Sequence, residues 1–253
     1  MAELKFSVIT VTFNAGESLR RTVESVLKQS CAPFEYLIFD GFSQDGTVAV
    51  AESYRAAFEA KGIVYRVVSE KDSGIYNAMN KGVRAAEGDF VSFLNAGDWY
   101  EPTALADVNA FYADGAFDLT YGGLNYIMPD GKVCVKMSRL DSFPVSSRHW
   151  NHPSMFLRRE LYRQFGFDER YRMYADFDLY LRLRRAGVNI RVIDRVITNF
   201  PADGISTNTA WNKVMSRAGE KYRAYRENGY GRIYWLESYG WEILKMLYFR
   251  LRR

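Results

Sequence analysis

Two cysteines in 253 residues, Cys31 and Cys134, are too few for a disulfide framework, and with no CxxC spacing or nearby histidine pattern they indicate no zinc site. A reducing compartment fits best. Long apolar runs are missing as well: nothing approaches the roughly 18 consecutive apolar residues that a membrane-spanning helix needs. The N-terminus, MAELKFSVITVTFN, has one lysine before a short run broken by threonine, which reads as a strand and not as a signal peptide. The loop after that strand, TFNAGES, has a single glycine, and without GxGxxG it argues against a nicotinamide-binding fold. Net positive charge is confined to the tail. From Lys213 onward there are ten Lys/Arg against four Glu, so the net charge of +4 resides there. No compact basic and aromatic groove motif is present, so nucleic acid is not an expected partner.

What is present is an alternation of strands and helices, with 48% apolar residues to build a core. Phe6 to Thr12 (FSVITVT) is rich in β-branched residues and reads as a buried first strand. A helix signalled by Asn14 and Ser18 follows, with Leu19, Val23, Val26 and Leu27 on one face. Glu35 to Asp40 is a second strand, Val48 to Ala60 a helix, and Ile63 to Ser69 a third strand. Ile75 to Glu87 is a helix with Ile75, Met79, Val83 and Ala86 on one stripe and Gly88 as its stop. Asp89 to Leu94 is the fourth strand, an apolar run without alternation that suits burial on both faces. This order predicts an α/β fold, an open and mostly parallel sheet with helices on both faces.

The strand ends carry the chemistry. Asn14 follows strand one, Asp40 ends strand two, Glu70 and Asp72 follow strand three, and Asp98 follows strand four. Open α/β sheets bind ligands at this edge. Each residue alone is as readily a cap or turn residue, but together they suit a ribonucleotide and a divalent metal with oxygen ligands.

VITVTFNAGESLRRTVESVLKQS, LIFDGFSQDGT and SEKDSGIYNAMNKGVRAAEGDFVSFLNAGD resemble the nucleotide-sugar half of the family two glycosyltransferases of GT-A fold. The resemblance implies a donor site in residues 1–100 and an acceptor half in 101–212. It assigns base and ribose contacts to Thr12, Phe13, Asn14 and Asp40, and nucleotide and diphosphate contacts to Asp72, Asn80 and Lys81. Where many members carry DxDD, this chain has Asn95, Ala96, Gly97 and Asp98, which leaves Asp98 to hold Mn2+ or Mg2+ and Asn95 and Ala96 beside the donor. Asp176, in YADFDLYLRLR, matches the second residue of the family's glutamate-aspartate pair, the general base; Ala175 replaces the glutamate.

In the second half, Phe117 to Tyr121 reads as a strand and Tyr126 to Val135 as a hairpin turning at Pro129, Asp130 and Gly131. His149 and His152 are the only histidines. In the resemblance His152 borders the active site, as a supporting or diphosphate contact; the alternative is a hydrogen-bonded polar residue behind the pocket. Tyr174 to Arg184 is a helix, in which Asp178 favours the helix dipole and, like Asp45 and Asp168, is read as structural or outer shell. Asn189 to Asn199 is a strand, and FPADGISTNT reads as a mobile loop over the site.

The resemblance implies an inverting, metal-assisted transfer of one sugar from a nucleotide-diphosphate sugar to a glycan or polyprenyl-linked acceptor, in cell-surface polysaccharide synthesis. The rival readings are an inactive nucleotide-sugar-binding module and a nucleotidyltransferase, although TFNAGES is not a triphosphate loop. The tail, 213–253, has an apolar stripe (Ile233, Leu236, Ile243, Leu244, Leu247, Leu251), aromatics around it and Lys245, Arg250, Arg252 and Arg253 near the end. It reads as a basic amphipathic helix lying on an anionic membrane, or as one packed on the catalytic domain. The expected location is cytoplasmic, with a peripheral association at the inner face of the cytoplasmic membrane.

Overall fold

All seven residues of β1 (Phe6–Thr12) are buried, as expected of a strand covered by helices on both faces. The computed structural model describes residues 4–142, 144–202 and 209–251. It places β1 between β2 (Glu35–Asp40) and β4 (Phe90–Phe93), with β3 (Val64–Ser69) beyond β2. These pairings are all parallel. β8 (Met155–Arg158) then runs antiparallel between β4 and β6 (Leu119–Ile127). β9 (Ile190–Pro201) lies parallel to β6, and the short β5 (Trp99–Tyr100) pairs with β9 at the edge. β7 (Val133–Lys136) pairs with β6 as the expected hairpin.

The period of two along the strands divides the core into two layers. Phe6, Val8, Tyr36 and Ile38 face α1 (Gly16–Leu27), α2 (Thr47–Glu52), α3 (Arg55–Ala60) and α5 (Ala104–Ala113). Ile9, Val11, Leu37 and Phe39 face α4 (Ile75–Ala85), α6 (Arg159–Phe165), α7 (Ala175–Arg185) and α8 (Trp211–Glu227). Glu35, fully buried in β2, is satisfied by the Ser7 hydroxyl at 2.6 Å, the Arg66 guanidinium at 2.7 Å and the Glu87 amide at 2.5 Å.

Several elements differ from the sequence expectation. The helix expected over 48–60 is two helices, because the Tyr54 amide bonds back to Ala51 O and its hydroxyl is drawn to Glu24 of α1 at 3.1 Å. The buried face of α4 is Tyr76, Ala78, Met79, Gly82 and Val83, whereas Ile75 is 44% exposed. The strand expected at 117–121 continues to Ile127. Its register against β9 shifts at Gly123, and a side chain at Gly122 would meet Ile197 Cγ1 at 2.6 Å and Arg195 O at 2.7 Å. This irregularity lets one strand serve β7, β8 and β9. Most of the expected FPADGISTNT loop, 203–208, lies outside the described residues, as do Arg252 and Arg253.

The tail is helical and packs on the catalytic layers. α8 lies against α7, and a π-helical turn (Leu236–Gly240) leads into α9 (Trp241–Leu251). Arg217 and Glu242 form a buried ion pair at 2.8 Å, Lys221 and Glu237 another at 2.8 Å, and Tyr234 joins the larger core cluster. The opposite side exposes Ile233, Trp235, Leu236, Leu244, Leu247 and Tyr248. Among the described residues no helix is long and apolar enough to cross a membrane.

Gly88, expected as a helix stop, has a different task. A Cβ there would lie 2.6 Å from Lys5 O and 2.8 Å from Ser7 N, so the chain entering β4 passes against β1 backbone that cannot retreat. Gly88→Ala is expected to destabilise the protein by about 1–3 kcal/mol, as overpacking does, measured as a lower urea midpoint at unchanged slope.

Candidate active site

The parallel register sets Thr12, Asp40 and Ser69 level at the carboxyl edge of the sheet. Asp40 is buried there, accepting from the Ser43 amide at 2.9 Å, the Ser69 hydroxyl at 2.6 Å and the Ser43 hydroxyl. Asn14 takes a left-handed conformation (φ 48°), which its short polar side chain tolerates. Its amide donates to Ser43 Oγ at 2.7 Å and its side-chain oxygen accepts from the Gln44 amide at 3.0 Å, joining the β1 and β2 loops. Phe13 is 65% exposed beside them. Asp72 closes the group: a Cβ on Gly41 would fall 2.8 Å from Asp72 Oδ2 and 3.3 Å from Phe13 Cδ2. The structure therefore brings Thr12, Phe13, Asn14, Asp40 and Asp72 together. An exposed ring beside two carboxylates can stack a base and accept from its N–H groups or from ribose hydroxyls.

Asn80 and Lys81 stand apart from this group. The Asn80 amide accepts from Phe167 N at 2.9 Å and donates to Phe167 O at 3.0 Å and Glu169 at 2.9 Å, fastening α4 to the segment before α7. Lys81 donates to Lys71 O at 2.9 Å and pairs with Glu70 at 2.8 Å, bracing the loop that carries Asp72.

The loop after β4 is fixed from two sides. Thr22 of α1 donates to Asp98 O at 2.7 Å and accepts from the Gly97 amide at 2.9 Å, and Gly97 itself needs φ 102°. β5 then pairs with β9, Trp99 opposite Asn199. Asp98 is held 5% exposed, Ala96 packs against the core, and Asn95 Oδ1 is buried with no hydrogen-bond partner among the described residues. No group of three His, Cys, Asp or Glu side chains converges anywhere among the described residues. A carboxylate and an amide oxygen in one loop nonetheless fit a hard cation that completes its shell with diphosphate oxygens and water.

Across β4 and β8 lies Asp176, in the first turn of α7. One carboxylate oxygen accepts from the Phe177 amide at 2.8 Å and the Tyr76 hydroxyl at 3.2 Å; the other lies 3.8 Å from His152 Nδ1. Burial pushes its pKa up to about 6 against the pull of those two donors. His152 is buried among Phe93, Trp150 and Phe167 and its pKa is pushed down to about 4, so the ring is neutral at pH 7 and brings no cation to Asp176. Its Nε2 has no hydrogen-bond partner among the described residues. The arrangement is a carboxylate tuned toward neutrality, suited to taking a proton from a hydroxyl.

Asp178 points elsewhere. It is clamped by Arg182 and Asn228, each at 2.8 Å, in a cleft of about 620 Å³ toward the other end of α7. Sequence reading missed Tyr76, Thr22, Ser43 and Ser69. Only Tyr76 carried a signal, since it lies on the Met79 and Val83 stripe where its hydroxyl must find a buried partner.

Residues 7–181 match the family described as "Glycosyl transferase family 2". The chain belongs to that family and is a glycosyltransferase. A PGL/p-HBAD biosynthesis glycosyltransferase of Mycobacterium bovis is 32% identical over 221 residues, covering 84% of this chain and 83% of the relative. The amylovoran biosynthesis glycosyltransferase AmsB of Erwinia amylovora is 28% identical over 217 residues, 79% of this chain and 70% of AmsB. Among solved structures, the mannosyltransferase PcManGT from Pyrobaculum calidifontis, in complex with GDP-Man and Mn2+, superposes with a TM-score of 0.69 at 16% identity, covering 98% of this chain and 74% of that one. That likeness bears on the fold, which is the expected GT-A type.

The raised pKa of Asp176 sets a sign for stability. Unfolded, the carboxyl titrates near 4; folded, it holds its proton to about 6, so its contribution falls as pH rises through that window. Asp176→Asn keeps both acceptor contacts without the charge. It is expected to stabilise the protein by about 1–3 kcal/mol at pH 7.5 and to be nearly neutral at pH 4, measured as the difference in urea midpoint between the two pH values.

Proposed function

We propose that this glycosyltransferase moves a single sugar from a nucleotide-diphosphate sugar to a hydroxyl of a glycan or lipid-linked saccharide, with inversion, in cell-surface polysaccharide synthesis. The observation that carries the reading is Asp176. A half-buried carboxylate at the N-terminus of α7, its pKa raised to about 6, supports that reading, because such an environment suits a general base. In this reading Thr12, Phe13, Asn14, Asp40 and Asp72 hold the nucleoside. Asn80 and Lys81 act through the loops they brace. Asn95, Ala96 and Asp98 face the diphosphate, and Asp98 with Asn95 would hold Mn2+ or Mg2+, which supplies charge neutralisation for the departing diphosphate. Asp176 removes the proton from the acceptor hydroxyl as it attacks the anomeric carbon from the face opposite the leaving group. His152, kept neutral, orients that carboxylate. Residues 1–100 serve the donor and 101–212 the acceptor. Support for the metal, the donor class and the pathway comes from the Mn2+ and GDP-Man of the mannosyltransferase and from the biosynthetic names of the relatives.

We also propose that the exposed face of Ile233, Leu236, Leu244, Leu247 and Tyr248 rests on an anionic membrane at the cytoplasmic side, bringing the enzyme to a lipid-linked acceptor. Removing the tail would strip Tyr234, Glu237 and Glu242 from the core, so the face is tested by substitution.

A thermal-shift screen of UDP, GDP, CMP and dTDP with and without manganese is expected to give a metal-dependent response to one nucleotide; silence toward all four would count against the donor site. Asp176→Asn should keep that response while losing about 10²–10⁴-fold in transfer rate, and near wild-type turnover would remove Asp176 from the mechanism. Leu244→Glu with Leu247→Glu should abolish sedimentation with phosphatidylserine vesicles at unchanged melting temperature, whereas undiminished sedimentation would reject the membrane face.

A further inference from the structure

Among the described residues only two that are not glycine take a positive φ, Asn14 at 48° and Phe42 at 68°. They stand in the two loops that the Asn14 bonds to Ser43 and Gln44 join. Asparagine visits this conformation at little cost, whereas a bulky side chain there is an outlier, because its Cβ crowds the backbone. The turn itself does not ask for phenylalanine. Asp40 closes it by accepting from the Ser43 amide at 2.9 Å and from the Ser43 hydroxyl, and glycine at position 42 would make the same turn without strain. What Phe42 adds is its ring.

That ring is not spent on the fold. Phe42 is 48% exposed and belongs to neither core cluster. The Lys71 ammonium stands over the ring, 5.7 Å from its centre, and Lys71 is held in turn by its carbonyl, which accepts from Lys81 at 2.9 Å. The next residue is Asp72, whose Oδ1 accepts from the Gly74 amide at 2.9 Å while Oδ2 faces Gly41. Gly41 also lies against the exposed Phe13 ring. Phe13, Asp72 and the strained Phe42 therefore surround one glycine at the carboxyl edge of the sheet. A residue held under strain at a binding edge points to a use there. Two exposed rings beside a carboxylate suit an occupant with flat apolar faces and a polar rim, which describes a nucleobase and not a diphosphate.

We propose that Phe42 is a second stacking wall, beside Phe13, for the base of the sugar nucleotide, with the Lys71 ammonium backing its ring. The wall rests on the reading of this crevice as the donor site. It adds a residue that grips the nucleoside without meeting the reacting bond, so it sets which nucleotide is held and how tightly.

The test is calorimetric titration of the full chain with UDP, GDP, CMP and dTDP in the presence of Mn2+, with melting temperature read on the same proteins without nucleotide. None of these probes carries the donor sugar, so a change reports on the nucleoside end. Phe42→Leu keeps bulk and strain but loses the aromatic face. It is expected to weaken the best-bound nucleotide by about 5–100-fold at unchanged melting temperature, the loss that removing a base–aromatic stack brings. Phe42→Gly should weaken binding as much and melt no lower than the wild type, because the strain leaves with the ring. Phe42→Tyr should bind as the wild type does. Wild-type affinity in Phe42→Leu rejects the wall, and so does a loss of affinity accompanied by a lower melting temperature in both Phe42→Leu and Phe42→Gly, which would assign the ring to the fold. If the wild type binds none of the four nucleotides, the donor reading falls and the wall with it; if it binds one and Phe42→Leu binds it equally, the wall alone falls.

Discussion

The arrangement depends on holding one carboxylate, Asp176, in a half-buried place without a full opposite charge beside it. An isolated buried charge costs several kcal/mol, and here the offset comes from the helix N-terminus, the Phe177 amide and the Tyr76 hydroxyl. None of these is a full opposite charge, which is why the pKa stays high. Holding the three in register demands that α4, α7 and the β4–β8 pair share one core, and they do. His152 belongs to the same solution: a protonated ring would stabilise the carboxylate and lower its basicity, and enclosure by Phe93, Trp150 and Phe167 prevents that.

Much of this was legible in the sequence. β1 and β2 occupy the expected residues because fully buried parallel strands leave continuous apolar runs, and the strand-end residues Asn14, Asp40 and Asp72 meet because parallel register leaves them no alternative edge. Asp176 was singled out by its match to the family's acidic pair, since an acid in a first helical turn is by itself as readily a partner of the helix dipole. What escaped notice was set by distant partners. Nothing local distinguishes an asparagine that touches a ligand from one that fastens two segments, as Asn80 does to Phe167 and Glu169. The insertion of antiparallel β8 between β4 and β6 likewise follows from long-range pairing that periodicity does not encode.

The tail illustrates the same division. Its composition suggested either a membrane helix or a packed one, and the structure shows a helix pair with one packed face and one exposed apolar face. Arg217, Lys221, Glu237 and Glu242 point inward, where ion pairs tie α8 to the following turns, while Leu244 and Leu247 remain outside. An apolar stripe read from sequence marks what a helix could bury, and the inward-facing charges decide how much of it is buried.

The Thr22 hydroxyl, which bonds both Gly97 N and Asp98 O, has a bearing on how such chains diversify. The loop between β4 and β5 is riveted at its middle to α1 and at its far end to β9, so its length is counted by two independent registers. An inserted residue would break one of them. Side chains in this loop can therefore be exchanged at constant length without rebuilding the scaffold, whereas a change of length cannot be absorbed.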